Sequence, residues 1–245
     1  MTIKKHIPNL ITLLNLFCGL IATMFAVSGH LMFAVYFVLL GIFFDFFDGF
    51  FARLLNVSGE LGKQLDSLAD VVTSGVVPGI ILFQLIQKEP FYTASPGDLM
   101  DGSGIKIVPL AFVGLVFSLA SAYRLAKFNI DTRQTSSFIG LPTPAATLVV
   151  LSLPLILATG NEWSHEIITN KWFLVMLTLM LSYLMHAEIP LFALKFKDYT
   201  WKNNKIKFTF LGLSVLLLVG LQFVAIPLII ILYVLFSILE NRSKK

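Results

Sequence analysis

Unbroken apolar runs joined by short polar connections fill most of the chain. They fall at about 8–28, 31–55, 64–87, 107–128, 143–160, 171–188, 208–223 and 225–240. The apolar residues are continuous and do not alternate with polar ones, so each run reads as a helix and not as a barrel strand. Most runs are long enough to cross a hydrocarbon core about 30 Å thick. The last two would overshoot a bilayer as one helix, but the stretch from Gln222 to Pro227 supplies a break where a tight hairpin fits. The expected fold is therefore all-α: a polytopic integral membrane bundle of about eight transmembrane helices. It forms a single membrane domain over 1–245, with a six-helix core over 1–190 and an additional C-terminal hairpin over 205–245.

Composition agrees with this pattern. The 245 residues are 57% hydrophobic and only 13% charged, and the mean hydropathy of +0.85 excludes an ordinary soluble domain. Cys18 is the single cysteine, which excludes an intrachain disulfide. The basic opening M-T-I-K-K-H precedes an apolar stretch too long for a signal-peptide core, so this segment is expected to be retained. The net charge of +4 is not a nucleic-acid footprint, because Lys and Arg are spread over connections instead of forming a face with aromatics. Their distribution bears on topology. Lys4, Lys5, Arg53, Lys63, Lys127, Arg133, the run Lys195, Lys197, Lys202, Lys205 and Lys207, and the tail with Arg242, Lys244 and Lys245 mark one set of ends as basic. The first and seventh connections carry neither Lys nor Arg, while the third (Lys88, Glu89, Asp98, Asp101, Lys106) and the fifth (Glu162, Glu166, Lys171) do not favour the positive sign. The positive-inside rule then places both termini in the cytoplasm, with the second connection on the same side.

One stretch breaks the apolar pattern. Between Asp45 and Asp70 run D-F-F-D-G-F-F-A-R, eight residues, then G-K-Q-L-D-S-L-A-D. On helices, Asp45 and Asp48 share one face, and Asp66 and Asp70 share a face of the next helix. The turn holding Asn56, Ser58, Gly59 and Gly62 lets the two helices fold back and bring the acid pairs together. An ionised Asp in mid-membrane costs roughly 2.5 to 3.5 kcal/mol, so four facing one pocket carry a penalty on the order of 10 kcal/mol unless neutralised. An all-oxygen donor set suits a hard divalent ion, Mg2+ or Mn2+, and no nearby His or Cys favours zinc or copper. Gly49 leaves room for close approach of a ligand, and Arg53 offers a planar fork for phosphate.

The spacing D-x-x-D-G-x-x-A-R-x8-G-x-x-x-D-x-x-x-D resembles, without departure, the signature of the CDP-alcohol phosphotransferases, membrane enzymes of phospholipid head-group transfer. The resemblance implies two metal ions, bridged by Asp45 and Asp66, with Asp48 on the first and Asp70 on the second. It implies further that Asp70 is the general base toward the incoming alcohol, and that Gly49, Ala52 and Arg53 hold the CDP moiety. Physics alone does not separate the base from the ligands. A carboxylate pocket open to the cytoplasm and to the inner leaflet suits a hybrid such as CDP-diacylglycerol.

Other stretches bear on the acceptor. I-P-N-L-I-T-L-L-N-L-F-C-G-L, Y-R-L-A-K-F-N and F-I-G-L-P-T-P-A-A, with G-K-Q-L-D-S-L-A-D-V-V-T-S-G-V-V-P, are similar to the membrane-type phosphatidylserine synthases of bacteria and archaea over most of the first 150 residues. The acceptor implied is L-serine and the products are phosphatidylserine and CMP, made at the inner (cytoplasmic) cell membrane. Serine needs a partner for its carboxylate. Arg124, within an apolar span, is the foremost candidate, with Tyr123, Lys127 and Asn129 as lesser ones; the alternative for Arg124 is a guanidinium snorkelling at a helix end. Asn9, Thr12 and Asn15 form a polar stripe on the first helix that touches either the nucleotide or a neighbouring helix.

Two rival functions stand beside this one. The first keeps the chemistry and changes the acceptor to glycerol 3-phosphate or inositol phosphate, which would need more cytoplasmic cations than Arg124, Lys127 and Arg133. The second is a divalent-cation transporter, which would need acids spread along a path, whereas Glu188 alone lies near a span outside the cluster. Gly75 and Gly79, at small-x-x-x-small spacing, permit close helix contact and a homodimer.

Overall fold

The computed structural model of the chain describes residues 2–57, 59–88, 108–131, 137–192 and 200–243. Among these, helices account for nearly everything. They are α1 (Thr2–Val27), α2 (Leu31–Leu54), α3 (Glu60–Asp70), a π-helical turn (Val71–Val76) and α4 (Val77–Gln87), then a 3-10 turn (Pro109–Leu115) leading into α5 (Val116–Ile130). There follow α6 (Thr143–Ala158), α7 (Glu162–Ile168), α8 (Lys171–His186), α9 (Trp201–Leu221), a 3-10 turn (Gln222–Val224) and α10 (Ala225–Ser243). The exception is a two-stranded antiparallel ribbon, β1 (Ser137–Ile139) against β2 (Pro190–Phe192), with Phe138 opposite Leu191.

Among the described residues, five helical stretches are long and apolar enough to cross a membrane, or six when the pair α7 and α8, bent by 67°, is taken as one span. The expected count of eight is not reproduced on this measure. Thr143–Ala158 falls short in length, and Asn204–Asn241 counts as one 38-residue stretch. That stretch nonetheless folds back on itself. Gln222 adopts φ 48°, and the rings of Phe210 on α9 and Tyr233 on α10 meet at 5.8 Å between centroids, a distance that a straight helix rising 1.5 Å per residue could not give. The side of the membrane on which the termini lie stays an expectation from charge. Of the positions behind it, Glu89, Asp98, Asp101, Lys106, Arg133, Lys195, Lys197, Lys244 and Lys245 lie outside the described residues, as does Ser58 of the turn.

Three backbones converge on Thr73. A Cβ added to Gly19 of α1 would lie 2.6 Å from the Thr73 hydroxyl, and one on Gly41 of α2 would lie 2.7 Å from its methyl. Only hydrogen fits there, so α1 and α2 close onto the turn between α3 and α4. The π turn widens the helix at this point and leaves carbonyls that lipid cannot solvate. Hydroxyls of neighbouring helices satisfy them: Thr147 donates to the Ser74 carbonyl (2.6 Å) and Ser118 to that of Gly75 (3.0 Å). Thr73 itself donates back to Ala69 (3.1 Å). The Gly75–Gly79 face is used inside the chain, since a Cβ at either position would meet Ser121 or Ser118 of α5. The close helix contact expected of that spacing is therefore made with α5 of the same chain.

Candidate active site

The turn after α2 is what sets the acids face to face. Asn56 takes the left-handed conformation (φ 52°), the amide of Val57 donates to the Ala52 carbonyl (3.0 Å), and Gly59 starts α3 in extended geometry. The chain thus reverses within a few residues, as a helix end closed by a left-handed residue does. One carboxylate oxygen each from Asp45, Asp48 and Asp66 lies within 4.8 Å of the others. Asp48 is buried, and Asp45 and Asp66 are half-buried. Three carboxylates this close fit a divalent cation, because their oxygens are hard donors and their mutual repulsion needs a positive charge. Asp70 falls outside this trio. Its carboxylate accepts a hydrogen bond from the Asn15 amide (3.3 Å) and lies within electrostatic reach of Arg124.

Beside the trio opens a cleft of about 360 Å³. Asn9 and Thr12 of α1, Asp48, Gly49, Ala52 and Arg53 of α2, and Asp66 of α3 all line it. Thr12 donates to Asp48, orienting that carboxylate. The nearest atom to a Cβ added at Gly49 is an Arg53 nitrogen at 4.0 Å, so the space over Gly49 belongs to the cleft. Arg53 anchors its Nε on the Gly49 carbonyl (2.9 Å), which leaves its terminal nitrogens for an anion. The polar stripe on α1 is accordingly divided: Thr12 and Asn15 address Asp48 and Asp70, and Asn9 borders the cleft.

The family model for CDP-alcohol phosphatidyltransferase matches residues 5–184. The chain belongs to that family. It is an integral membrane phosphotransferase with bacterial and archaeal relatives. A CDP-diacylglycerol–serine O-phosphatidyltransferase of Bacillus subtilis (strain 168) is 36% identical over 176 residues, 68% of this chain and 88% of the relative. A protein of the same name from Helicobacter pylori (strain ATCC 700392 / 26695) is 31% identical over 236 residues, 95% of this chain and 90% of the relative. An archaetidylserine synthase of Methanothermobacter thermautotrophicus is 32% identical over 152 residues, 61% of this chain and 58% of the relative.

In this phosphatidyltransferase the residues read as contacts for the acceptor separate from one another. Arg124 is buried with 7% of its surface exposed. One terminal nitrogen donates to the Thr143 hydroxyl (3.1 Å), the guanidinium lies 5.8 Å from the Phe128 ring centroid, and Nε has no hydrogen-bond partner. A snorkelling side chain would place its head in water, and this one does not. Lys127 instead pairs with Glu188 at 3.8 Å. Asn129 ties α5 to α3, donating to the Ser67 hydroxyl (2.8 Å) and accepting from Lys63 (2.6 Å) at its carbonyl. Tyr123 is 66% exposed and its ring lies tilted against that of His186, 5.3 Å between centroids. Sequence reasoning passed over Lys63 and Thr143 as parts of the site, and it placed Asn15 on the polar stripe without naming Asp70 as its partner. Lys63 lines the cleft, and its place three residues before Asp66 was the available signal. Asn15 reaches Asp70 and Thr143 reaches Arg124, and no spacing along the chain signals either contact.

Proposed function

We propose that this phosphatidyltransferase transfers the phosphatidyl group of CDP-diacylglycerol to the hydroxyl of L-serine, giving phosphatidylserine and CMP. The observation that carries the reading is the convergence of three carboxylates from two helices, two of which, Asp48 and Asp66, line a cleft also bordered by Gly49, Ala52 and Arg53. The two relatives from Bacillus subtilis and Helicobacter pylori, both named for serine as acceptor, support the choice of alcohol.

Asp45, Asp48 and Asp66 would hold Mg2+ or Mn2+, with Asp70 completing a site for a second ion. Such ions, when bound, neutralise pyrophosphate and stabilise charge on the departing CMP. The chain's own residues do the rest. Arg53 pairs with phosphate at the cleft mouth, and the bare Gly49 lets the nucleotide lie against the α2 backbone. Asp70 accepts the proton of the serine hydroxyl as its oxygen bonds to the β-phosphorus and the bond from that phosphorus to the CMP oxygen breaks. Asn15 holds Asp70 in place by its amide. Arg124, a buried cation beside Asp70 with an unmet donor, takes the serine carboxylate. Lys127, engaged by Glu188, and Asn129, engaged by Lys63 and Ser67, serve as supports of this wall. In this reading the protein lies in the inner (cytoplasmic) membrane with the cleft open to the cytoplasm, where the cytidine nucleotide and serine are supplied.

The test is release of labelled CMP by purified protein in vesicles containing CDP-diacylglycerol. Serine is compared with glycerol 3-phosphate, inositol phosphate and no acceptor, each with Mg2+ or Mn2+. CMP release dependent on serine is expected. Release driven best by a phosphorylated alcohol would replace the acceptor, and cation uptake without CMP release would replace the enzyme by a transporter.

A further inference from the structure

Arg53 and Lys63 both line the cleft beside the acids. Arg53 ends α2, and Lys63 stands in the first turn of α3, so the two cations flank the turn that joins these helices. The Lys63 ammonium donates to the main-chain carbonyl of Asn129, near the end of α5 (2.6 Å). The side chain of Asn129 donates to Ser67 (2.8 Å), which gives α5 a tie to α3 that does not pass through Lys63.

What the lysine lacks is a counter-charge. It shares the cleft with Asp48 and Asp66, yet among the described residues it pairs with no carboxylate. The oxygens of those two acids gather instead with that of Asp45. A carbonyl holds an ammonium in place without neutralising it, and an ammonium has three protons. One goes to Asn129, and two remain for the cleft. The position adds to the imbalance. The first turn of a helix presents unpaired amides and the positive end of the helix dipole, where an acid is favoured over a lysine. Gly59, which starts α3, has no side chain to cap those amides. Positive charge therefore collects on both sides of one turn, as suits an anion bound between the helices.

The other residues of the cleft indicate which anion. Gly49 and Arg53, given above to the nucleotide, line it, and Arg124, given to serine, does not. The phosphate that departs with CMP becomes a monoester, whose charge at neutral pH is about −1.5 to −2.

We propose that Lys63 is a phosphate-binding residue of the cleft: its ammonium, seated on the Asn129 carbonyl, pairs together with Arg53 with the phosphate attached to cytidine. The proposal rests on the reading of the donor substrate as a cytidine nucleotide. It gives Lys63 a task beyond its tie to α5.

The test uses the full-length protein in detergent with Mg2+ and no serine. CMP and cytidine are titrated as competitors of labelled CDP-diacylglycerol. Lys63→Gln keeps a donor for the Asn129 carbonyl and removes the charge, and Lys63→Arg keeps both. In the Gln variant the dissociation constant of CMP is expected to rise about tenfold or more, as for loss of a hydrogen bond between charged groups. That of cytidine, which has no phosphate, is expected within about twofold of the unsubstituted protein. The Arg variant is expected to retain most of the CMP affinity. The thermal transition of the Gln variant is expected to stay in place, because Asn129 keeps its bond to Ser67. Unchanged CMP affinity in the Gln variant overturns the proposal. So does a parallel weakening of CMP and cytidine, which marks a merely structural tie, or a loss in Lys63→Arg as large as in Lys63→Gln. If the unsubstituted protein binds neither CMP nor CDP-diacylglycerol, the nucleotide reading itself fails, an outcome distinct from these.

Discussion

Asp70 and Gly49 separate two ways in which a residue serves this site. Asp70 stands outside the close trio and is positioned by Asn15, as suits a group that exchanges a proton rather than only holding a cation. Asp70→Asn keeps the shape and removes the proposed base, so turnover with serine is expected to fall by roughly a hundredfold or more, while the unfolding temperature in detergent stays near that of the parent. Near-normal CMP release would refute the assignment. Gly49 has no protein atom closer than 4.0 Å to an added Cβ, so Gly49→Ala fits the fold and projects its methyl into the cleft. The expected outcome is an undisturbed melting curve together with binding of CDP-diacylglycerol weakened about tenfold, or about 1.4 kcal/mol. A destabilised protein with normal affinity would show that the glycine serves packing instead. Both residues were legible from the sequence, because acids and a glycine at helical spacing inside apolar runs have few structural uses. Asn15 was not, since an asparagine on a membrane helix bonds a neighbouring helix as readily as it supports a catalytic group.

Two helices contribute the trio, and α1 braces both. An ion held by Asp45 and Asp48 of α2 and Asp66 of α3 would tie the hairpin together and would bind the folded state alone. Millimolar Mg2+ or Mn2+ is therefore expected to raise the unfolding temperature in detergent, and EDTA to reverse this. Asp66→Asn should lose most of the shift, and an equal shift in that variant would count against the site. The brace depends on contact of backbones. Gly19→Val would drive a side chain into Thr73, whose hydroxyl lies 2.6 Å and backbone 3.2 Å from the position of a Cβ. A loss of about 1–3 kcal/mol is expected for such overpacking, readable as an earlier thermal transition. The π turn that carries Thr73 was not legible: its sequence, V-V-T-S-G-V, reads as ordinary helix, and the turn is stabilised by hydroxyls on α5 and α6.

At the scale of the whole molecule, the membrane orders what the helices bring together. From the charge pattern, the second connection, and so the cleft, is expected on the cytoplasmic side. On a Cys18→Ser background, a cysteine at Ser28, in the first connection, is expected to react with an impermeant thiol reagent added outside right-side-out vesicles. A cysteine at Glu60, beside the cleft, is expected to react only after the vesicles are opened. Both positions are exposed, so the reverse pattern would turn the cleft outward and remove the cytoplasmic nucleotide from the reading. The same scale explains the C-terminal hairpin. It was legible as apolar and as broken near Gln222, but its contact with Pro190–Phe192 joins segments some forty residues apart.

By itself the sequence determined a helical membrane protein, its family, and the carboxylates, glycine and arginine of the motif. These follow from local rules: apolar length sets the spans, and helical spacing places acids on one face. The tertiary structure alone decided that Asp70 stands apart from the trio and that Asn15 serves it. It also decided that Lys127 is taken by Glu188 while Arg124 keeps an unmet donor, and that a tyrosine from the last helix is tied to the Phe192 carbonyl. Those outcomes depend on which helices touch, and contact between distant segments is set by close packing and by satisfaction of buried polar groups, which leave no periodic mark on the chain.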